Sequence, residues 1–131
     1  MRSRILLFIA CISFVSCERK DPQTNQEDLG GKGGSATLKI TSKHHGKNID
    51  SATIYIKYNA QDKPTSYDDS VKCVMESGKP VATFTPLKKG KYYLYGKGWD
   101  KNAGNYVEGG IPYIISEEKT LEIIVPVTEG D

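Results

Sequence analysis

An antiparallel β-sandwich of seven strands is the fold that this sequence predicts for residues 35–131, and three observations predict it. Apolar and polar residues alternate at a period of two in seven short segments. Turn-forming residues fill the gaps between those segments. No window of helical length shows a 3.6-residue period.

The first strand is read from Ala36, Leu38 and Ile40 alternating with Thr37, Lys39 and Thr41. The second sets Ala52, Ile54, Ile56 and Tyr58 against Ser51, Thr53, Tyr55 and Lys57. Segments 71–75, 81–84, 91–99, 106–115 and 119–127 continue the pattern. In the last, Leu121, Ile123, Val125 and Val127 share a face, and Pro126 marks an edge or the end of pairing because it has no N–H to donate. Turns are expected at His45-Gly46-Lys47-Asn48, Ser77-Gly78-Lys79, Lys88-Lys89-Gly90, Asn102-Ala103-Gly104-Asn105 and Ser116-Glu117-Glu118. Gly109-Gly110-Ile111-Pro112-Tyr113 is expected to turn the chain between two strand halves.

The chain has 131 residues, of which 26% are charged and 37% hydrophobic, a balance that fits one globular domain. Its formal charge of +2 is too small for an electrostatic grip on nucleic acid, so no nucleic-acid partner is expected.

Residues 1–16 read as a secretory signal: Arg2 and Arg4 precede an apolar run over residues 5–15. That run spans roughly 16 Å as a helix, about half a bilayer core, too short for a permanent span. It ends in Phe14-Val15-Ser16-Cys17, which resembles a bacterial lipobox with Phe14 in the place usually held by Leu. The resemblance implies diacylglycerol on the Cys17 thiol, cleavage before Cys17 and acylation of the new amino group. Two or more chains at about 0.8 kcal/mol per buried methylene make a stable membrane anchor. Glu18-Arg19-Lys20-Asp21 resembles the surface-export signal of Bacteroidota lipoproteins, which implies an outer-membrane, surface-exposed location.

Cleavage alters the counts. Losing Arg2 and Arg4 from 18 basic residues leaves 16 against 16 acidic, so the mature chain is formally neutral. Of 3 cysteines, Cys11 leaves with the signal, Cys17 carries lipid and Cys73 stands alone as a small core residue. No intrachain disulfide is then available to the domain. Residues 17–34 read as the lipidated cysteine and a polar, glycine-ended tether that reaches roughly 20–25 Å as a flexible coil.

Two segments of the domain resemble the transthyretin-like (prealbumin-like, carboxypeptidase regulatory-like) family. Residues 46–54 are similar to its opening pattern through Gly46, Ile49, Ala52 and Ile54. Residues 84–94 are similar to its second pattern through Phe84, Leu87, Gly90, Tyr92 and Leu94. The resemblance implies an Ig-like, transthyretin-like sandwich with Tyr92 and Leu94 inward. It says little about activity, because one fold hosts many functions. The family's 5-hydroxyisourate hydrolases need dispersed His and Arg residues and a C-terminal Tyr-Arg-Gly-Ser. This chain ends Val127-Thr128-Glu129-Gly130-Asp131 and has no Arg after Arg19, which argues against that activity.

No catalytic residue, cofactor or metal is predicted. His44-His45 read as a solvated turn rather than a metal site, because neighbours on a strand point to opposite faces and share a metal only where the loop curls. Asp62, Asp68 and Asp69 read as parts of a polar loop, not a cation site. The candidate binding face is Tyr93, Tyr95, Lys97 and Trp99, which share one face if Tyr92 and Leu94 share the other. Exposed, these aromatics would form a stacking platform for a glycan or an anchor for a partner protein. The competing reading packs Tyr93 and Tyr95 against Tyr55 under lysine side chains, with Trp99 capping the core. The expectation is a cell-envelope lipoprotein, held at the membrane through Cys17, whose domain is a non-enzymatic module binding a protein or glycan. An accessory subunit of an outer-membrane or fimbria-like assembly is the alternative, with a hydrolase more remote.

Overall fold

Residues 29–129 are described here in a computed structural model, and every one of their regular elements is a strand. The signal segment, Cys17 and the tether up to residue 28 lie outside the described residues. In chain order the strands are β1 (Lys32–His44), β2 (Lys47–Asn48), β3 (Thr53–Tyr58), β4 (Asp69–Lys72), β5 (Val74–Glu76), β6 (Lys79–Leu87), β7 (Gly90–Asp100), β8 (Asn105–Ile115), β9 (Thr120–Pro126) and β10 (Thr128–Glu129).

They form two five-stranded sheets. One runs β2-β1-β6-β5 with β9 on β1; the other runs β10-β8-β7-β3-β4. Their inner faces share a single apolar cluster built on Leu38 and Ile40, Ile54 and Ile56, Phe84, Tyr92 and Leu94, and Val125. The apolar positions of both family-like segments lie in it: Ile49, Ala52 and Ile54 from the first, Phe84, Leu87, Tyr92 and Leu94 from the second.

The expected seven strands become ten: β2 lies within the expected turn at residues 45–48, and two changes of sheet add the other two. The alternation over residues 71–75 is continuous in sequence, yet the chain changes sheets at Cys73. β4 pairs with β3 in one sheet and β5 with β6 in the other. Cys73 itself is buried at the crossing, and burial pushes its thiol up to about 11. A second switch comes after Pro126. Val127 is buried and donates to Lys43 O, whereas Thr128 and Glu129 pair with β8 in the other sheet.

Three further expectations are corrected. The β1–β9 pairing is parallel, Thr37 opposite Thr120 through Lys43 opposite Pro126, so the sheets are not wholly antiparallel. After β8 the chain crosses between sheets at residues 116–119, and a crossover lets it run alongside β1 in the same direction. Residues 109–113 do not turn the chain. β8 pairs with β7 residue by residue through them, Gly96 opposite Gly109 and Tyr93 opposite Pro112. A side chain at Gly110 would meet the Tyr93 ring at 2.6 Å, so packing rather than turning calls for glycine there. The domain also starts before residue 35. β1 begins at Lys32, Gly31 N–H donates to Tyr92 Oη at 2.8 Å, and Lys88 N–H donates to Gly31 O at 2.8 Å. The terminal glycines of the expected tether are therefore built into the fold.

Candidate functional site

Strand β7 positions both candidate regions. Its even residues face inward as Tyr92, Leu94, Gly96, Gly98 and Asp100; its odd residues, Tyr93, Tyr95, Lys97 and Trp99, face outward as the alternation predicts. These outward residues do not, however, form an open platform. Tyr93 and Tyr95 are 9% and 8% exposed, whereas Trp99 is 43% exposed. The loop between β3 and β4 folds over the first two. Asn59 N–H donates to Lys91 O at 2.7 Å, and Gln61 Nε2 donates to Tyr92 O at 3.0 Å. Tyr67 from that loop stacks on Tyr95 with ring centroids 5.6 Å apart, and Tyr55 lies 6.1 Å from Tyr95 on the neighbouring strand. Lys63 Nζ sits 4.9 Å above the Tyr95 ring. The Tyr95 hydroxyl bonds the Glu108 carboxylate. Burial pushes the Tyr67 phenol up, and the neighbouring Tyr93 and Glu108 add to it. The candidate binding face of Tyr93, Tyr95, Lys97 and Trp99 is thereby corrected: its first two members are covered, by Tyr55 and a lysine as the competing reading expects and by the 59–69 loop with Tyr67, which it does not expect.

The uncovered end holds a different pair. Trp99 lies opposite Tyr106 of β8, and their rings meet edge to face at 4.9 Å. Tyr106 is 64% exposed. Lys97 beside them is also exposed. The Trp99 backbone is held by Ser51, whose Oγ accepts from Trp99 N–H at 3.1 Å. Sequence reasoning missed Tyr106. The signal was its position across the Asn102–Asn105 turn, which sets it directly opposite Trp99.

On the inner side of the same strand end lies a polar cluster. Gly96 lacks the side chain that would hold the sheets apart, since a Cβ there would meet Ser42 Oγ of β1 at 2.3 Å; a Cβ on Gly98 would meet Ala52 Cα, just before the start of the neighbouring β3, at 2.8 Å. The close approach brings His44, the last inward residue of β1, against Asp100, the last of β7. His44 Nδ1 lies 2.6 Å from Asp100 Oδ2. Asp100 Oδ1 accepts N–H bonds from Asn102 at 2.8 Å and Ala103 at 3.1 Å. The His44 bond, first, and these backbone donors hold the Asp100 carboxyl below its usual range, although its burial opposes them. His44 Nε2 lies 3.3 Å from Glu129 Oε2 on β10 without forming a hydrogen bond.

His45 joins this cluster, against the expectation of opposite faces. It is not a strand residue. His45 and Gly46 form a two-residue turn between β1 and β2, with φ of 53° and 78°, the type I′ pattern of tight hairpins. The turn folds the His45 ring back to 4.0 Å from that of His44. One ligand atom from each of His44, His45 and Glu129 lies within 4.8 Å of the others. Neither Asp100 nor Glu129 stands among the candidate site residues of the sequence, although His44 shares the inward phase of Leu38, Ile40 and Ser42.

Two aspartates of the 59–69 loop, Asp68 and Asp69, serve the backbone. Asp68 Oδ2 accepts from Tyr58 N–H at 2.7 Å, and Asp69 Oδ1 accepts from Ser70 N–H at 2.8 Å.

No family model matches the chain, and no curated protein matches it. Among solved structures, a leucine-rich repeat protein from Bacteroides thetaiotaomicron is similar at a TM-score of 0.39 and 13% identity. The match covers 96% of this chain and 16% of that one, and at this level it carries no argument.

Proposed function

We propose that the chain is a cell-envelope lipoprotein, anchored through lipid on Cys17, whose domain is a non-enzymatic module that binds a partner protein. The observation that carries the binding reading is the exposed Trp99–Tyr106 pair, at 43% and 64%. Aromatic rings held on a rigid hairpin bury large area at little entropic cost, as binding anchors do. The cover over Tyr93 and Tyr95 leaves no long aromatic strip for a glycan chain, which favours a protein. The fold is read as an Ig-like, transthyretin-like β-sandwich. What supports this is the core position of seven apolar residues from the two family-like segments. Lipidation rests on Phe14-Val15-Ser16-Cys17, and outer-membrane display on Lys20 and its acidic neighbour.

The alternative, a subunit of a larger envelope assembly, draws on a different observation. β5 is an edge strand with Val74 and Met75 62% and 61% exposed, and such an edge is open to strand addition. Photo-crosslinking on intact cells separates the two. With the crosslinker at position 99 or 106, the binding reading expects a discrete protein adduct that position 95 does not give. An adduct at position 75 alone favours the assembly, and no adduct anywhere overturns both. Metabolic labelling with a clickable palmitate tests the anchor: loss of label in Cys17→Ser is expected, and label that persists overturns it.

A further inference from the structure

The geometry points to a divalent transition-metal site at His44, His45 and Glu129, of the class that takes zinc(II). It begins with the orphaned Nε2 of His44. This side chain is 1% exposed, and its Nδ1 is engaged by the Asp100 carboxylate. An ionised carboxylate only accepts, so Nδ1 carries a hydrogen, and in the neutral form of the ring, the one that binds a metal, Nε2 presents its lone pair. That lone pair faces Glu129 Oε2 at 3.3 Å, with no hydrogen bond between them. In that form a buried nitrogen lone pair and a half-exposed carboxylate oxygen face each other, and a cation placed between them is bonded by both.

The donor set and spacing fit zinc. Two imidazoles and one carboxylate are borderline ligands suited to zinc(II). Ligand atoms about 2.0–2.1 Å from a tetrahedral zinc lie roughly 3.3 Å from one another. The His44–Glu129 separation of 3.3 Å already has that value. His45 has its ligand atom within 4.8 Å of both, and its side chain is exposed, so a rotation about its own bonds closes the third edge. The fourth position opens to solvent between His45 and Glu129, both exposed.

Asp100 completes a carboxylate–histidine–metal line. It is a positioning residue: its bond to Nδ1 fixes the tautomer that frees Nε2 and raises the basicity of that nitrogen. Its own orientation is fixed by the Asn102 and Ala103 N–H groups of the β7–β8 turn. Metal binding would also tie three separate pieces together: the end of β1, its hairpin turn and β10. That makes the site a clasp joining the two sheets at the end of the domain that carries Trp99.

Zinc(II) is titrated into the full chain after chelator treatment, with competition against a chromophoric chelator as the readout and cobalt(II) as the spectroscopic probe. One zinc per chain and a tetrahedral cobalt absorption band are expected. His44→Ala removes a buried side chain and is a poor test, so the exposed ligands carry it. His45→Ala and Glu129→Gln should each weaken zinc at least about 10-fold and abolish the cobalt band, with the metal-free unfolding midpoint unchanged. Asp100→Asn should weaken zinc by roughly 10–100-fold and shift the cobalt band. If Asp100→Asn changes stability alone, Asp100 has no part in the site. No stoichiometric zinc, or zinc that both His45→Ala and Glu129→Gln leave in place, overturns the proposal.

Discussion

One strand face, two fates: the outward residues of β7 are sealed at Tyr93 and Tyr95 and bare at Trp99. Both halves obey the same alternation, and both are aromatic. The difference comes from a loop distant in sequence. Residues 59–68 lie across the first half, where Tyr67 stacks on Tyr95, and nothing in the described residues crosses the second. An aromatic row on a strand is thus core or contact surface according to what the rest of the chain lays over it. The covered half holds the domain together, and the bare half is the part free to bind.

The sharpest way to break this contrast is to truncate one ring from each half. Tyr95→Ala removes a nearly buried ring from the Tyr55, Tyr67 and Tyr95 cluster and should cost about 3 kcal/mol in chemical denaturation. Trp99→Ala should cost less than about 1 kcal/mol, since its ring already faces water. Equal losses would mean that the two halves do not differ. Next in size is Gly110→Ala, on the covered side. Its new methyl group would meet the Tyr93 ring at 2.6 Å and Leu94 O at 2.8 Å, so about 1–3 kcal/mol of overpacking is expected. If the midpoint does not move, Tyr93 is not seated on Gly110. Lys63→Ala probes the outermost layer of the cover. A half-exposed cation–π contact is worth roughly 0.5–1 kcal/mol, and an unchanged midpoint would show that the lysine adds nothing to the seal.

The same contrast explains what was legible in the sequence. Period-two patterning correctly assigned faces: Leu38 and Ile40, Ile54 and Ile56, Tyr92 and Leu94 all point inward. Turn chemistry located the hairpins at His45-Gly46 and Ser77-Gly78, where φ is positive at both positions. Alternation says which residues share a face; it does not say which sheet a segment joins. The run through Cys73 therefore read as one strand although it crosses from one sheet to the other, and the change of sheet at Val127 was equally silent. That second crossing carries Glu129 to His44. Contacts such as His44–Asp100, 56 residues apart, depend on how closely the sheets approach. Gly96, against Ser42 of the other sheet, sets that approach, and in the sequence it reads only as an interruption of an aromatic run.

The smallest effect belongs to neither half of β7 and calibrates the others. Glu118 clamps the start of β1 to the turn before β7: Oε1 accepts from Ser35 N–H at 2.6 Å, and Oε2 accepts from Lys89 N–H at 3.3 Å. The Ser35 bond, then the Lys89 bond, hold its carboxyl below the ordinary value of 4.5. A carboxyl depressed on folding contributes stability that is fully present above its unfolded value and is lost as pH falls through its folded value. Glu118→Gln removes that contribution while keeping the shape. The variant should unfold slightly earlier than the parent at neutral pH, and the gap should close as the pH falls below about 4.5. Thermal midpoints from pH 7 down to pH 3 test this. A gap constant over that range would show that the clamp owes nothing to the charge of Glu118. The contrast between the two halves of β7 should not move with pH in the same window, since packing carries it.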